Sequence, residues 1–264
     1  MKRLQLLLLF SLACFLLIPI NVAHAKGTQV LVPDTVKDTH SRYTAKYKSG
    51  IGHTCTAILI SSTAAITAKH CGGTQHQSPA GTIYPGASGV STPFGYMNIR
   101  YYIPHPKYDV AVIKGIKRDQ DKFYQYYIKP FTTTVRGYSD EELSKFVDQD
   151  KFYQYYIKPF TTTVRGYSDE ELSKFVDQEV YSYGYPYKDG VFKQYRSDGK
   201  VNNYSKYLPL LSTDIPAFEG QSGSGVFKKD GPFVGIIVSR ARGNEAEVLP
   251  FSKEIATWIN NNAK

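Results

Sequence analysis

The feature that most constrains the fold is a series of short β-type runs separated by turns. Runs of this length and spacing are typical of an all-β sandwich or barrel. Thr54–Ile60 has the composition of a buried strand, and Ala64–Ala68 predicts a further strand. The runs in the first half of the chain are Tyr43–Tyr47, Thr54–Ser61, Ala64–Thr67, Gly81–Tyr84, Tyr96–Ile103 and Val110–Lys114. Those in the second half are Glu179–Tyr183, Gln194–Val201, Tyr207–Thr213, Val226–Lys228 and Phe233–Ser239.

A Gly- and Ser-rich loop, Glu219–Gly225, joins two of these runs and contains the candidate nucleophile Ser222. A serine hydroxyl becomes reactive when a base removes its proton and backbone N–H groups stabilise the oxyanion that forms. Glycines on both sides allow a sharp turn, so that the N–H groups of Gly220 and Ser222 converge on one point. The loop alone is equally compatible with an ordinary hairpin turn. Ser224 is the rival nucleophile in the same loop.

Two further motifs supply the partners that such a serine needs. Thr67–Cys71 contains His70, and Tyr108–Ile113 contains Asp109. In the order His70, Asp109, Ser222, the chain resembles the chymotrypsin-like serine endopeptidases, and most closely their bacterial glutamyl endopeptidase and exfoliative toxin branch. The resemblance extends from the first β-type run to the C-terminus. The three motifs together are a strong signal, whereas each motif alone is weak.

The resemblance implies a triad in which Ser222 attacks a peptide carbonyl, His70 transfers the proton and Asp109 orients the imidazole. The oxyanion hole would consist of the N–H groups of Gly220 and Ser222. Other acids and histidines have weaker claims. The competing acids are Asp119 and Asp121. The histidines interpreted as surface or packing residues are His53, His76 and His105.

The fold that the resemblance implies consists of two six-stranded antiparallel barrels of the chymotrypsin type with a C-terminal helix. Ser252 is the predicted N-cap of that helix. The residues spaced along one face of the helix are Phe251, Ile255, Trp258 and Ile259. In this family we expect the helix to dock on the second barrel.

The primary substrate pocket is predicted by counting along the family's motifs. The residues that this alignment assigns to the pocket are Pro216, Ala217, Ile237 and Val238. Trypsin-like members carry an aspartate at the position of Pro216, so a preference for Lys or Arg is not supported. Glutamyl endopeptidases carry a threonine and a histidine at the positions of Ala217 and Ile237, and neither polar group is present. The predicted pocket therefore favours a substrate with a small or apolar side chain beside the cleaved bond. Arg240 or Arg242 is the alternative, as a source of positive charge in the pocket.

The N-terminus has the pattern of a secretory signal peptide, residues 1–25. Lys2-Arg3 precede the apolar run Leu4–Ile20, and Ala23-His24-Ala25 is an Ala-x-Ala cleavage motif. A membrane-spanning helix is the competing interpretation, but a proline interrupts the run and no basic stop-transfer cluster follows. The pattern predicts a secreted protein, which is extracellular, or periplasmic in a source with an outer membrane.

Residues 26–41 are polar and are interpreted as a leader, strap or pro-segment before a protease domain over residues 42–264. In the trypsin-like branch of the family, cleavage frees an α-amine that pairs with an aspartate just before the nucleophile. The corresponding residue here, Gln221, is uncharged and cannot form that ion pair. Activation by this route is not predicted, and another role for the N-terminal segment stays open.

The cysteines favour one disulfide. Cys14 belongs to the signal peptide, and an even pair, Cys55 and Cys71, remains for an oxidising compartment. Their separation matches the bridge beside the catalytic histidine in the resembled family. Two cysteines alone would leave a tetrahedral metal site half filled, so no metal or other cofactor is expected.

Charge and composition narrow the range of partners. The formal charge of +9 falls to +7 without Lys2 and Arg3. The basic residues are scattered, so a solvated surface accounts for them, with weak attraction to acidic cell surfaces as the alternative. The sequence contains no nucleic-acid motif and no later run that could cross a bilayer. The expected partner is a protein or peptide substrate, bound by a monomer without stable membrane insertion.

A tandem repeat of 29 residues lies between the two sets of runs. Asp119–Val147 recurs unchanged as Asp148–Val176, and Asp177-Gln178 begins a third copy. The predicted capping boxes, each starting a short helix, are Ser139 with Glu142 and Ser168 with Glu171. The resembled family needs about one copy to join its barrels, so we expect the other copy to be extruded from this insert, residues 119–178. A ligand-binding array is the alternative.

Two functions of different classes fit the sequence. The first is a secreted serine endopeptidase that works through an acyl-enzyme. The second is a catalytically inactive, protease-like protein that binds surface proteins, the insertion having displaced the second barrel. Reaction of Ser222 with an active-site label separates the two.

Overall fold

Two antiparallel sheets form the framework of the protein, each with seven strands in the described part of the chain. The structure is a computed structural model and describes residues 27–38, 40–76, 78–128, 164–229 and 231–264. Up to residue 114 the strands are β1 (Thr28–Leu31), β2 (Thr44–Ser49), β3 (Thr54–Leu59), β4 (Ala64–Thr67), β5 (Gly81–Pro85), β6 (Met97–Asn98), β7 (Tyr101–Pro104) and β8 (Ala111–Lys114). From residue 179 onward they are β9 (Glu179–Gly184), β10 (Tyr187–Lys188), β11 (Val191–Phe192), β12 (Tyr195–Ser205), β13 (Leu210–Pro216), β14 (Gly225–Lys228), β15 (Phe233–Ala241) and β16 (Glu245–Pro250). The helices are α1 (Lys122–Tyr127), α2 (Asp169–Ser173) and α3 (Lys253–Ala263), with 3₁₀ turns at Lys69–Cys71 and Lys117–Asp119.

The first sheet has the strand order β6-β5-β2-β3-β4-β8-β7 and curls upon itself. Its edge strands, β6 and β7, follow each other in the chain and are separated by Ile99 and Arg100. The Ile99 N–H donates to the carbonyl of Gly81 in β5 at 2.7 Å, and the Arg100 N–H donates to that of Lys114 in β8 at 2.8 Å. This stretch therefore brings the two edges of the sheet towards each other.

The second sheet closes into a six-stranded barrel, because β12 pairs with β9 as well as with β13. Tyr195–Lys200 of β12 pair with β9, and Val201–Ser205 pair with β13. Its interior is an apolar cluster that includes Val201, Leu211, Ile237 and Val248. The predicted all-β fold of the chymotrypsin type is confirmed, with a closed second barrel and a curled first sheet.

The C-terminal helix α3 forms as predicted but docks elsewhere. The hydroxyl of its N-cap, Ser252, accepts a hydrogen bond from the Ile255 N–H at 3.3 Å. The helix packs mainly against β4 and β8 of the first sheet, and the expectation that it docks on the second barrel was wrong. The reason is that its apolar face, with Ile255 and Ile259, joins the core cluster that contains those two strands.

The predicted leader, residues 26–41, belongs to the folded domain wherever the structure describes it. β1 pairs with Tyr195–Asp198 of β12. Further along, Asp38 accepts a hydrogen bond from the Tyr183 hydroxyl at 2.9 Å, and the His40 ring stacks on Tyr183 with centroids 5.3 Å apart. Its interpretation as a strap agrees with these contacts, and its interpretation as a pro-segment stays untested.

The predicted signal peptide lies outside the described residues. Within the described part of the chain, no helix has the length and apolar character needed to cross a membrane.

The described part of the first repeat copy contributes α1 to the first sheet. The carboxylate of Asp121 caps α1 by accepting from the Tyr124 N–H at 2.8 Å. The Tyr124 side chain is fully buried, and its hydroxyl donates to the carbonyl of Ser62 at 3.1 Å. The first ten positions of the repeat are therefore anchored beside the strands that precede the insert.

The described part of the second copy contributes α2 to the second barrel. Ser168 and Glu171 form the predicted capping box at its start. Tyr167 is buried, and its hydroxyl donates to the carbonyl of Phe233 at 3.2 Å. The first copy thus anchors the N-terminal end of the insert, and the second copy anchors its C-terminal end. Residues 129–163, with the predicted Ser139–Glu142 capping box, lie outside the described residues.

Deleting residues 129–157 should leave the domain folded and at least as stable as the full chain. The deletion joins Ile128 to Lys158, restores one complete repeat unit and keeps every described contact of residues 119–128 and 164–176. Because a shorter connection costs less closure entropy, we expect the free energy of unfolding to stay equal or to rise by about 1–2 kcal/mol. Denaturant unfolding of both proteins measures this. A drop of several kcal/mol would show that the second copy contributes contacts of its own.

Candidate active site

His70 is held in the 3₁₀ turn that follows β4. The disulfide between Cys55 and Cys71, with Cα atoms 6.2 Å apart, ties this turn to β3, and the buried Tyr102 hydroxyl donates to the carbonyl of Lys69. The predicted disulfide is therefore present. The two sulfurs lie close to the His70 ring, but disulfide sulfurs are not thiolate ligands, so this group is not a metal site.

Asp109 lies just before β8, at the end of a turn that a buried histidine organises. The Nδ1 atom of His105 accepts hydrogen bonds from the N–H groups of Lys107 and Tyr108 at 3.0 and 3.1 Å. Its ring packs on Trp258 with centroids 4.6 Å apart, and burial lowers the pKa of His105. A neutral ring keeps Nδ1 available as an acceptor, so His105 is a packing residue that also shapes the turn of Asp109.

Ser222 lies in a tight turn in which two glycines have positive φ angles, +92° for Gly220 and +86° for Gly223. A Cβ atom on Gly220 would lie 2.2 Å from the carbonyl oxygen of Tyr185, and one on Gly223 would lie 2.1 Å from that of Thr56. Both positions therefore require glycine for conformation and for space. The sharp turn that the Gly/Ser loop predicts is present.

The three motifs meet between the two sheets. The Nε2 atom of His70 lies 2.8 Å from the Ser222 hydroxyl, and Nδ1 lies 2.8 Å from Oδ2 of Asp109. The other carboxylate oxygen accepts the His70 backbone N–H at 2.9 Å. Because a carboxylate only accepts hydrogen bonds, Nδ1 carries the proton, and Nε2 of a neutral ring is the acceptor for the serine hydroxyl.

The Asp109 carboxylate is stabilised in its charged form. Burial raises its pKa, but the hydrogen bonds from the His70 ring and backbone and the charge of Lys69 outweigh this, and the net pKa lies below the ordinary value. Asp109 is therefore ionised near neutral pH, as an acceptor for the imidazole N–H must be.

Thr56 connects the first sheet to the serine turn. Its backbone N–H donates to the Ser222 carbonyl at 2.9 Å, and its hydroxyl donates to the Gly220 carbonyl at 2.8 Å. The same hydroxyl accepts the Tyr185 N–H at 3.0 Å. The N–H groups of Gly220 and Ser222 donate to no acceptor among the described residues, so both are available for an oxyanion.

The rival residues lie away from this site. Asp119 pairs with Arg100, and Asp121 caps α1. Ser224 is fully buried, and its hydroxyl has no hydrogen-bond partner in the described part of the chain. His53 and His76 are exposed, and His53 lies at the rim of the cleft described next.

A cleft of about 1030 Å³ contains His70 and Ser222. Two of the four predicted pocket residues, Ala217 and Ile237, line it. The residues that the prediction missed include Tyr187, Phe192, Phe218 and Ser239, and Arg240, the alternative source of charge, also lines the cleft. The other two, Pro216 and Val238, are not among the residues that line this cleft. The Pro216 carbonyl accepts a hydrogen bond from Gln29, and Val238 packs into the core, because neighbouring strand residues point to opposite faces.

A curled antiparallel sheet and a closed antiparallel barrel with a serine, a histidine and a carboxylate aligned between them define a serine endopeptidase of the chymotrypsin type. Residues 55–236 match the trypsin-like peptidase domain, and the chain belongs to this family. None of the curated protein sequences matches it significantly.

Solved structures with the same fold are distant in sequence. A Glu endopeptidase in complex with MPD is 17% identical with a TM-score of 0.64, and the alignment covers 92% of this chain and 99% of that chain. The thermostable serine protease AL20 from an extremophilic microorganism is 14% identical with a TM-score of 0.56, covering 86% and 99%. The protease Anisep from Arthrobacter nicotinovorans is 13% identical with a TM-score of 0.55, covering 86% and 97%. At these identities the likeness shows the fold alone.

Thr56→Val should lower turnover much more than Thr56→Ser. Valine keeps the shape of the side chain but removes the hydroxyl, which releases the Gly220 carbonyl and leaves the buried Tyr185 N–H unpaired at a cost of about 1–3 kcal/mol. Because the serine turn then loses its anchor, we expect kcat to fall about tenfold or more. Serine keeps both hydrogen bonds. Steady-state kinetics well below both melting temperatures measure the difference, and equal kcat values for the two variants would contradict this role.

Proposed function

We propose that this protein is a secreted serine endopeptidase in which Ser222, His70 and Asp109 cleave peptide bonds through an acyl-enzyme. The observation that carries the proposal is the pair of 2.8 Å contacts of the His70 ring, one to Ser222 and one to Asp109. Export is supported by the N-terminal signal pattern and by the disulfide, because disulfides persist in oxidising compartments.

In the first half of the reaction, Nε2 of His70 takes the Ser222 hydroxyl proton while Oγ attacks the peptide carbonyl carbon. Asp109 stabilises the imidazolium that forms. His70 then donates the proton to the leaving nitrogen, the C–N bond breaks, and the acyl group remains on Ser222 as an ester. In the second half, a water molecule gives a proton to His70 and attacks the ester carbon. The bond to Oγ of Ser222 then breaks, His70 returns the proton to Oγ, and the carboxylic acid is released.

The charge that develops on the carbonyl oxygen requires donors in fixed positions. The backbone N–H groups of Gly220 and Ser222 are the candidates, because neither has an internal acceptor in the described chain. The Thr56 hydroxyl, 2.8 Å from the Gly220 carbonyl, supports this assignment by holding the peptide unit after Gly220. Loss of one such donor typically costs about 10²–10³ in kcat.

The cleft beside Ser222 favours a small or apolar side chain on the acyl side of the cut. Ala217 and Ile237 present apolar atoms, and both are almost fully buried in the free protein. Arg240 is exposed at the cleft, and its guanidinium donates to the side chain of Asn244 at 3.3 Å. Its charge is therefore solvated, and one of its donors is already used by Asn244. We assign the substrate preference to the apolar residues of the cleft.

A fluorophosphonate probe should label the wild-type protein at Ser222 and should not label Ser222→Ala. The hydroxyl reacts only when His70 accepts its proton, so His70→Ala should lower turnover about 10⁴-fold or more. Mass spectrometry of the labelled peptide identifies the modified serine. Ser224→Ala is the matched control and should label normally. A folded, disulfide-bonded wild type that stays unlabelled would contradict the proposal and favour a binding function.

A peptide library should show cleavage after small or apolar residues, with the same order of preference in Arg240→Ala. Liquid chromatography with mass spectrometry of the products measures the preference. Arg242→Ala, also exposed but not part of the cleft, is the control. A preference for Asp or Glu that disappears in Arg240→Ala and persists in Arg242→Ala would overturn the assignment.

A further inference from the structure

The N-terminal strand β1 enters the second barrel where β12 changes partners. Tyr195–Asp198 of β12 pair with β1, whereas Val201–Ser205 pair with β13. At this point the Gly27 N–H donates to the carbonyl of Asp214 in β13 at 3.2 Å. A Cβ atom on Gly27 would lie 2.4 Å from the Asp198 carbonyl oxygen, so the chain is closely fitted here. β1 therefore occupies the space between β12 and β13.

Gln29 is the residue of β1 that reaches from this position to the serine turn. Its Nε2 atom lies 2.8 Å from the Ser197 hydroxyl, 3.1 Å from the Pro216 carbonyl and 3.1 Å from Oε1 of Gln221. Gln221, which directly precedes Ser222, has no exposed surface. The strand thus makes a side-chain contact with the residue next to the nucleophile.

Gln221 is the centre of the turn that presents the oxyanion donors. Its Oε1 accepts the Phe218 N–H at 2.9 Å, its own N–H donates to the Phe218 carbonyl at 3.1 Å, and its carbonyl accepts the Ser224 N–H at 2.9 Å. Because the Phe218 N–H only donates, the atom facing it must be the amide oxygen. The same reasoning makes the Gln29 atom that faces three acceptors the amide nitrogen.

Each of the two paired amides, Gln29 and Gln221, also has one buried polar atom without a partner in the described chain. Nε2 of Gln221 and Oε1 of Gln29 are buried and have no hydrogen-bond partner among the described residues. Leaving a buried polar group unpaired is unfavourable, and apolar side chains of similar size would avoid the penalty. Buried polar side-chain atoms without a protein partner are uncommon in native proteins, and two of them directly beside the nucleophile make this pair a candidate functional feature.

We propose that Gln29 is a positioning residue that holds Gln221, and through it fixes the N–H groups of Gly220 and Ser222 for the oxyanion. The proposal rests on the proposed function of this site. The contact between Gln29 and Gln221 is a hydrogen bond between two neutral amides. It therefore contains no group that titrates, and it needs no newly freed α-amine. It requires only that β1 remain in the active chain.

Gln29→Met tests the proposal, because methionine keeps the length of the side chain but cannot donate a hydrogen bond. Val30→Ala is the matched control, since Val30 lies on the same strand with 55% of its surface exposed. In Gln29→Met we expect the backbone amides of residues 218–223 to exchange hydrogen about fivefold faster or more. We expect no change there in Val30→Ala. Hydrogen–deuterium exchange measured by mass spectrometry gives this result whether or not the protein is catalytically active.

Steady-state kinetics and inhibitor binding should also distinguish Gln29→Met from Val30→Ala. For Gln29→Met, kcat should fall about 10–100-fold with KM within about threefold, and a peptide boronic acid should bind correspondingly more weakly. Val30→Ala should match wild type. Combining Gln29→Met with Gln221→Met should cost no more than the worse single substitution if the two residues act as a unit.

Equal exchange at residues 218–223 in Gln29→Met and Val30→Ala would overturn the inference, even if the enzyme is active. A wild type that fails to react with the fluorophosphonate would overturn the proposed function, while the exchange result would still decide the positioning role. Faster exchange confined to β1 itself would mean that Gln29 only anchors its own strand, which also contradicts the inference.

Discussion

The contact on which the site depends is made by Thr56, which reaches from the first sheet to the serine turn of the second barrel. Its N–H and its hydroxyl hold the carbonyls of Ser222 and Gly220. Because Cys55 directly precedes it, the disulfide ties the same strand to the turn that carries His70. One strand of the first sheet therefore contacts both the turn of His70 and the turn of Ser222, and neither sheet alone contains the complete candidate site.

The strands and the triad motifs could be predicted because their signals are local. His70 follows a buried apolar run and Asp109 precedes another, so each lies at the end of a strand, where side chains face a cleft. The glycines beside Ser222 are required by the backbone of a single turn, and that requirement is visible in the sequence. The capping residue of α3, Ser252, was also predicted, since helix caps depend on neighbouring residues only.

Features that depend on distant partners could not be predicted. Thr56 lies inside an apolar run that indicates a buried strand, and nothing nearby points to its contact with Gly220. Gln29 lies in a polar stretch interpreted as a leader, because pairing with β12 far along the chain leaves no local pattern. The docking of α3 depends on β4 and β8, which lie far from it in the sequence. β10 and β11 are too short to produce a periodicity. Counting along a motif does not show which face of a strand a side chain occupies, so it did not predict that Val238 joins the core cluster.

The division of the site between two bodies has a consequence for how the protein loses activity on warming. His70 and Asp109 belong to the first sheet and Ser222 to the second barrel, so the proposed proton transfer crosses a 2.8 Å contact between residues of two different sheets. In that mechanism, a slight displacement of one sheet against the other would interrupt proton transfer while the hydrogen bonds within each sheet stay intact. If the proposed mechanism holds, turnover should be lost at a lower temperature than the circular dichroism signal of the two sheets.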